Sequence, residues 1–102
     1  MKYDKLVRDN IPEIIEEKGE TAKWHLASKE ERLARLIAKA HEETDELETK
    51  PSIDELADLY EVVLALADEL GIDYNDLEHH RSLKAADRGS FSKGIVLDEV
   101  TD

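Results

Sequence analysis

The sequence predicts an all-α fold: a helical bundle with two long antiparallel helices, a third helix, and short packing segments at both ends. Three observations lead there. Apolar residues recur at intervals of three and four along two long stretches, and each stretch opens on a Ser followed three positions later by Glu. The connection between them, around Lys50 and Pro51, is so short that the two helices should be antiparallel neighbours. With 102 residues, the chain is read as one domain, 1–102, whose core is small enough for self-association to be a useful supplement. A homo-oligomer, with a dimer favoured, is the corresponding expectation.

The first element, "KLVRDNIPEIIEEKG", reads as a short helix from about Asp9, capped by Asp9 or Asn10, with Pro12 tolerated in the first turn and an end near Gly19. "ETAKWHLA" alternates only in part, through Ala22, Trp24 and Leu26, and suggests an extended covering segment. "SKEERLARLIAKAHEETDELETK" is the first long helix, with a Ser28/Glu31 capping box and a stripe of Leu33, Leu36, Ile37, Ala40, Thr44 and Leu47. "PSIDELADLYEVVLALADELG" is the second, with Ser52 and Glu55 as its box, a stripe of Leu56, Leu59, Val63, Leu66, Ala67 and Leu70, and Gly71 just past its end. "IDYNDLEHHRSLKAADRG" is the third helix, capped by Asp73 and stopped at Gly89. In the tail, "SFSKGIVLDEV", Phe91, Ile95, Val96, Leu97 and Val100 are available to pack back on the bundle.

The chain has no Cys, so neither a disulfide framework nor a thiolate metal site is possible. No window approaches the length of a membrane span, and the N-terminus lacks the apolar run of a secretory signal, which leaves a soluble cytoplasmic protein as the default. A formal charge of -12 argues against nucleic acid polymers and anionic lipid as partners. It does not argue against a small anionic substrate brought in with a divalent cation.

The acidic residues have a pattern. Glu43 and Glu46 lie three apart on the first long helix, and Glu55 and Asp58 lie three apart on the second; both pairs border an apolar stripe. Two antiparallel helices with a short joint can bring the pairs together, and four converging carboxylates would repel one another unless protons or cations compensate. All-oxygen ligation suits Mg²⁺, with Mn²⁺ possible, and Mg²⁺ commonly bridges to substrate phosphates. The plainer alternative is that these are solvated helix flanks, with Glu55 merely closing the box on Ser52. Glu42 is turned away by about 100° from Glu43 and is an acid behind the ligands, a base for an attacking water, or simple surface.

"HEETDEL" followed by "DELADLYEV" resembles the Glu-Glu-x-x-Glu and Glu-x-x-Asp motifs of the MazG-like all-α nucleoside triphosphate pyrophosphohydrolases, a superfamily that includes phosphoribosyl-ATP pyrophosphohydrolase. "YDKLVRDNIPEII" and "RGSFSKGIVLDEV" resemble the ends of its small branch described as house-cleaning pyrophosphatases for noncanonical nucleotides. The resemblance implies hydrolysis between the α and β phosphates of a nucleoside triphosphate, giving monophosphate and pyrophosphate. It also implies metal ligation by Glu43, Glu46, Glu55 and Asp58, with Glu42 as the first Glu of the doublet. The spacing from Glu46 to Glu55 is shorter than in many relatives, and the tail has "RGSF" and Gly94 where relatives often have a second glycine and a basic residue.

Candidate phosphate-holding groups are Lys39, which lies four residues before Glu43, together with Lys5 and Arg8 in the N-terminal signature and Lys84 and Arg88 on the third helix. Lys39 has an equally good reading as the partner of Glu43, and Arg81, Lys84 and Arg88 as cations suited to a helix C-terminus. His41, His79 and His80 form no spaced ligand cluster. Trp24 and His25 either cover a nucleotide or pack, while Tyr60 and Phe91 are core or interface candidates. The competing functional classes are phosphoribosyl-ATP hydrolysis and a noncatalytic helical interaction or regulatory module.

Overall fold

A computed structural model of the chain describes residues 2–102. Its regular structure is four α-helices: α1 (Ile11–Glu17), α2 (Lys29–Thr49), α3 (Ile53–Glu69) and α4 (Tyr74–Arg88). No strand occurs among the described residues, and none of their helices is long and apolar enough to cross a membrane. The chain falls into two compact units, Met1–Gly71 and Ile72–Asp102.

In the first unit, α2 begins at a complete capping box. The Ser28 hydroxyl accepts from the Glu31 N–H at 3.3 Å, and the Glu31 carboxylate accepts from the Ser28 N–H at 2.9 Å. These bonds satisfy two donors that the first helical turn leaves without partners. The second box is only half closed. Ser52 accepts from the Glu55 N–H at 3.2 Å, but the Glu55 side chain does not reach back, because its carboxylate lies with those of Glu43 and Asp58. One serine thus starts α3 and leaves Glu55 available for the seam.

α2 and α3 are antiparallel neighbours, as the short joint requires. Arg32 near the start of α2 stands 3.9 Å from Glu69 at the end of α3, while Glu43 meets Asp58 closer to the turn. Gly71 ends the segment with φ +71, a left-handed conformation that costs glycine least, and its N–H bonds the Asp68 carbonyl. The apolar stripes, however, are only partly covered. Val62 and Ala67 are buried, and Leu36, Ala40, Leu47, Leu59 and Leu66 are half-buried. Leu33, Ile37, Leu56, Val63 and Leu70 remain exposed, as does Tyr60. A stripe wider than about 100° extends beyond what one neighbouring helix can cover.

Ahead of α2, residues 20–28 are irregular, and Trp24 and Leu26 are exposed rather than packed. α1 starts after Asn10, one of the two expected caps, and ends just before Lys18 and Gly19, although Asn10 makes no side-chain capping bond. The N-terminal arm is held from α2. Arg35 donates to the Asp4 carbonyl at 2.9 Å and to its carboxylate at 3.2 Å. That fork holds Asp4 at φ +42, the one non-glycine position among the described residues in the left-handed region.

In the second unit, α4 starts where expected, with the Asp73 carboxylate accepting from the Asn75 N–H at 3.0 Å, and stops at Gly89. The apolar residues of the tail, which the sequence offers for packing, are exposed. Phe91 is 99% exposed, and Ile95, Val96, Leu97 and Val100 are exposed too. Beyond the turn closed by the Gly94 N–H on the Phe91 carbonyl, the tail has no regular backbone pairing to align its apolar side chains against a helix.

Candidate metal centre

Three of the four predicted ligands converge. One carboxylate oxygen from each of Glu43, Glu55 and Asp58 lies within 4.8 Å of the other two. Around a Mg²⁺ with bonds of about 2.1 Å, octahedral oxygens stand about 3 Å apart when adjacent and about 4 Å apart when opposite, and the spacing for Ca²⁺ is larger. The trio therefore fits a hard divalent ion after a small inward adjustment. The fourth predicted ligand, Glu46, is exposed and outside this trio, although its charge acts on both Glu55 and Lys5.

Helix phase explains the convergence. Glu43 is one step from the Ala40, Thr44 and Leu47 face, so burial of the seam carries it inward until only 7% of the residue is exposed. A buried carboxylate needs a partner, and Lys39, one turn earlier, provides it at 3.5 Å. On α3, Glu55 occupies the first turn, where the N-terminal end of the helix dipole favours negative charge, and Asp58 follows one turn on. Loss of hydration, followed by the repulsion of Asp58, Glu46 and Glu43, pushes the Glu55 carboxyl above its ordinary value, and Lys50 opposes this weakly. A raised carboxyl beside two others is compatible with a bound cation, which would relieve their mutual repulsion.

Four of the five predicted phosphate-holding cations have definite partners. Lys5 Nζ stands 2.6 Å from Glu42 Oε1, and Arg8 stands 2.7 Å from Asp58 Oδ1. Lys39 Nζ lies 3.2 Å from Glu42 and also faces Glu43, which is the intrahelical reading of its position. The hydrogen bond from Lys5, helped by Lys39 and opposed by lost hydration, holds the Glu42 carboxyl below the usual carboxylate range. The same bond raises the Lys5 ammonium above its ordinary value, with Glu46 and Glu43 adding to it. In the second unit Lys84 is exposed on α4, and Arg88 is 3.9 Å from Asp87. Arg81 pairs with Glu78 one turn back, its Nε 2.9 Å from the carboxylate, which is the local reading of that cation.

None of the four histidines belongs to a carboxylate–histidine ligand cluster among the described residues. His25 sits 3.5 Å from Glu31, His80 is 3.2 Å from the Asp76 carbonyl, and His79 meets His80 edge to face. Arg35 is a residue that sequence reasoning passed over. Its i,i+4 relation to Glu31 was readable, but its second partner, Asp4, is far away in sequence.

Beneath the arm, a cavity of about 130 Å³ is lined by Lys5, Leu6, Arg35, Lys39 and Glu42 among others, and so adjoins the carboxylate seam on its Glu42 side. Comparisons with protein-family models, with curated proteins and with solved structures found no match.

Proposed function

We propose that the chain is a metal-dependent nucleoside triphosphate pyrophosphohydrolase that splits its substrate between the α and β phosphates and releases monophosphate and pyrophosphate. The observation that supports this reading best is the convergence of Glu43, Glu55 and Asp58 from two helices onto one point. The all-oxygen donor set, together with the motif order and the resemblance of the two chain ends, supports a reading as phosphoryl transfer. Glu43, Glu55 and Asp58 would hold Mg²⁺ or Mn²⁺, with Glu46 a further acid whose charge acts on Glu55. A divalent ion bound there supplies charge neutralisation on the phosphates and a water of lowered pKa.

The protein's own groups divide the remaining work. Water adds to the α phosphorus and gives up a proton to bulk solvent, the bond from that phosphorus to the bridging oxygen breaks, and the pyrophosphate carries the bridging oxygen and its electron pair away. Glu42 is a weak base for that water, because two lysines hold its carboxyl below the ordinary range. Its better role is to fix Lys5 and Lys39 beside the seam, where ammonium groups can complement phosphate charge. The resemblance of the two chain ends makes noncanonical nucleoside triphosphates the proposed substrate class, in keeping with house-cleaning of the nucleotide pool.

We further take the working form to be a homodimer, through the α2/α3 face that carries Leu33, Ile37, Leu56, Val63 and Leu70. Those side chains form an apolar stripe along a helix pair whose buried apolar residues, among those described, are Val62 and Ala67 alone, and a second copy of the same stripe is its self-complementary cover. The same stripe also favours the rival reading, a noncatalytic interaction module.

One assay separates these. Ordinary and damaged nucleoside triphosphates and phosphoribosyl-ATP are incubated with and without Mg²⁺, and products are resolved by ion exchange. Monophosphate and pyrophosphate from a triphosphate, only with the metal, is the expected result. Orthophosphate as the sole product, or unchanged turnover in Glu43→Gln and Asp58→Asn, overturns the mechanism. Selective cleavage of phosphoribosyl-ATP reassigns the substrate, and no turnover with a defined protein partner favours the module.

A further inference from the structure

We infer that the N-terminal arm is a cationic clasp that competes with the divalent ion, so that metal binding and release of Arg8 are coupled. The inference rests on the metal-site reading above and concerns what else those carboxylates hold. Arg8 approaches Asp58 at 2.7 Å, and Asp58 is one of the three carboxylates that converge. Lys5 approaches Glu42 at 2.6 Å, next in sequence to Glu43, and both ion pairs join positions far apart in the chain. A guanidinium and a divalent ion cannot both take full possession of the same carboxylate. Either the ion displaces the guanidinium, or it binds a carboxylate whose charge is already partly spent.

The arm is built for exchange rather than for permanent closure. Its fixed point is Asp4, which Arg35 grips through both carbonyl and carboxylate. Beyond that anchor the two contacts are side-chain ion pairs, and the Arg8–Asp58 pair is the more exposed, at 54% and 39%. Exposed pairs are weakly held, so a small gain elsewhere can break one while Asp4 keeps the arm nearby. The cavity beneath Lys5 and Leu6 leaves room for adjustment on the α2 side. Linkage then requires reciprocity: whatever weakens the clasp tightens the metal, and metal loosens the clasp by the same factor.

The test is Mn²⁺ titration by calorimetry at physiological salt, on the full chain. Arg8→Gln should bind Mn²⁺ about threefold to fivefold more tightly than wild type, the range expected for losing an exposed competing pair. Arg8→Lys should stay within about twofold of wild type because the charge remains. Lys2→Gln removes an equal charge from the same arm outside the two pairs and should also stay within about twofold.

Equal or weaker Mn²⁺ affinity in Arg8→Gln overturns the clasp while the metal site stands. Equal tightening in Lys2→Gln reduces the effect to diffuse charge and also overturns it. Absence of saturable Mn²⁺ binding in wild type overturns the metal site and the clasp together, so the two failures are distinguishable.

Discussion

Replacing Glu43 by Gln removes one charge from the centre of the proposed site while changing the volume little. Three oxygens mutually within 4.8 Å leave a point no more than about 2.8 Å from all of them, where a cation can sit. At that distance a divalent ion and one unit charge attract by about 3 kcal/mol even with the dielectric constant of water. That is a loss on the order of 100-fold in affinity. Screening at physiological salt acts over about 8 Å and so leaves a contact this short largely intact. The assay is Mn²⁺ titration of Glu43→Gln beside Asp45→Asn, an exposed α2 residue outside the trio that changes net charge equally. Circular dichroism establishes that both retain their helices. Glu43→Gln should fall by about two orders of magnitude and Asp45→Asn by less than about threefold. Equal losses in the two variants would refute the geometric argument, since diffuse charge would then suffice.

The remaining expectations are independent of turnover. Saturating Mg²⁺ should raise the thermal midpoint of wild type by several degrees, because an ion at about 100 times its Kd adds about 2.7 kcal/mol to the folded state; Asp58→Asn should lose most of that shift. Glu55 has a raised carboxyl pKa, so its contribution to stability is present below its unfolded value and lost as pH rises through its folded value. Metal binding in that window should release protons, measurable by calorimetry in buffers of differing ionisation enthalpy, and no release would show that Glu55 is not engaged. Glu42 has the opposite sign: its contribution is present above its unfolded pKa and lost as pH falls through its depressed folded value, a loss that Lys5→Gln should reduce in acid denaturation. Val63→Glu, in the middle of the exposed stripe, should shift light-scattering mass from dimer to monomer, with Kd weakened by at least about 100-fold if burial of that side chain is lost on both copies. An unchanged mass would show that this face is not the interface.

Much of this protein can be read directly from its residue order. Helix boundaries at Ser28, Ser52 and Asp73 follow from local hydrogen-bonding chemistry, which needs only neighbours three positions away. Pro51 between two capped helices dictates an antiparallel pair, and spacing of three places Glu55 and Asp58 on one face. Those features depend on contacts within a turn of helix. Tertiary structure decided the rest, because contacts across long chain separations have no local pattern. It gathered Glu43 with Glu55 and Asp58 and left Glu46 outside, turned the Glu55 carboxylate away from its capping partner, and laid Arg8 on Asp58 from fifty positions away. It also left Leu33, Ile37 and Val63 exposed on stripes whose periodicity alone reads as core. Periodicity reports that a face is apolar, but which surface covers that face depends on what the folded chain brings against it.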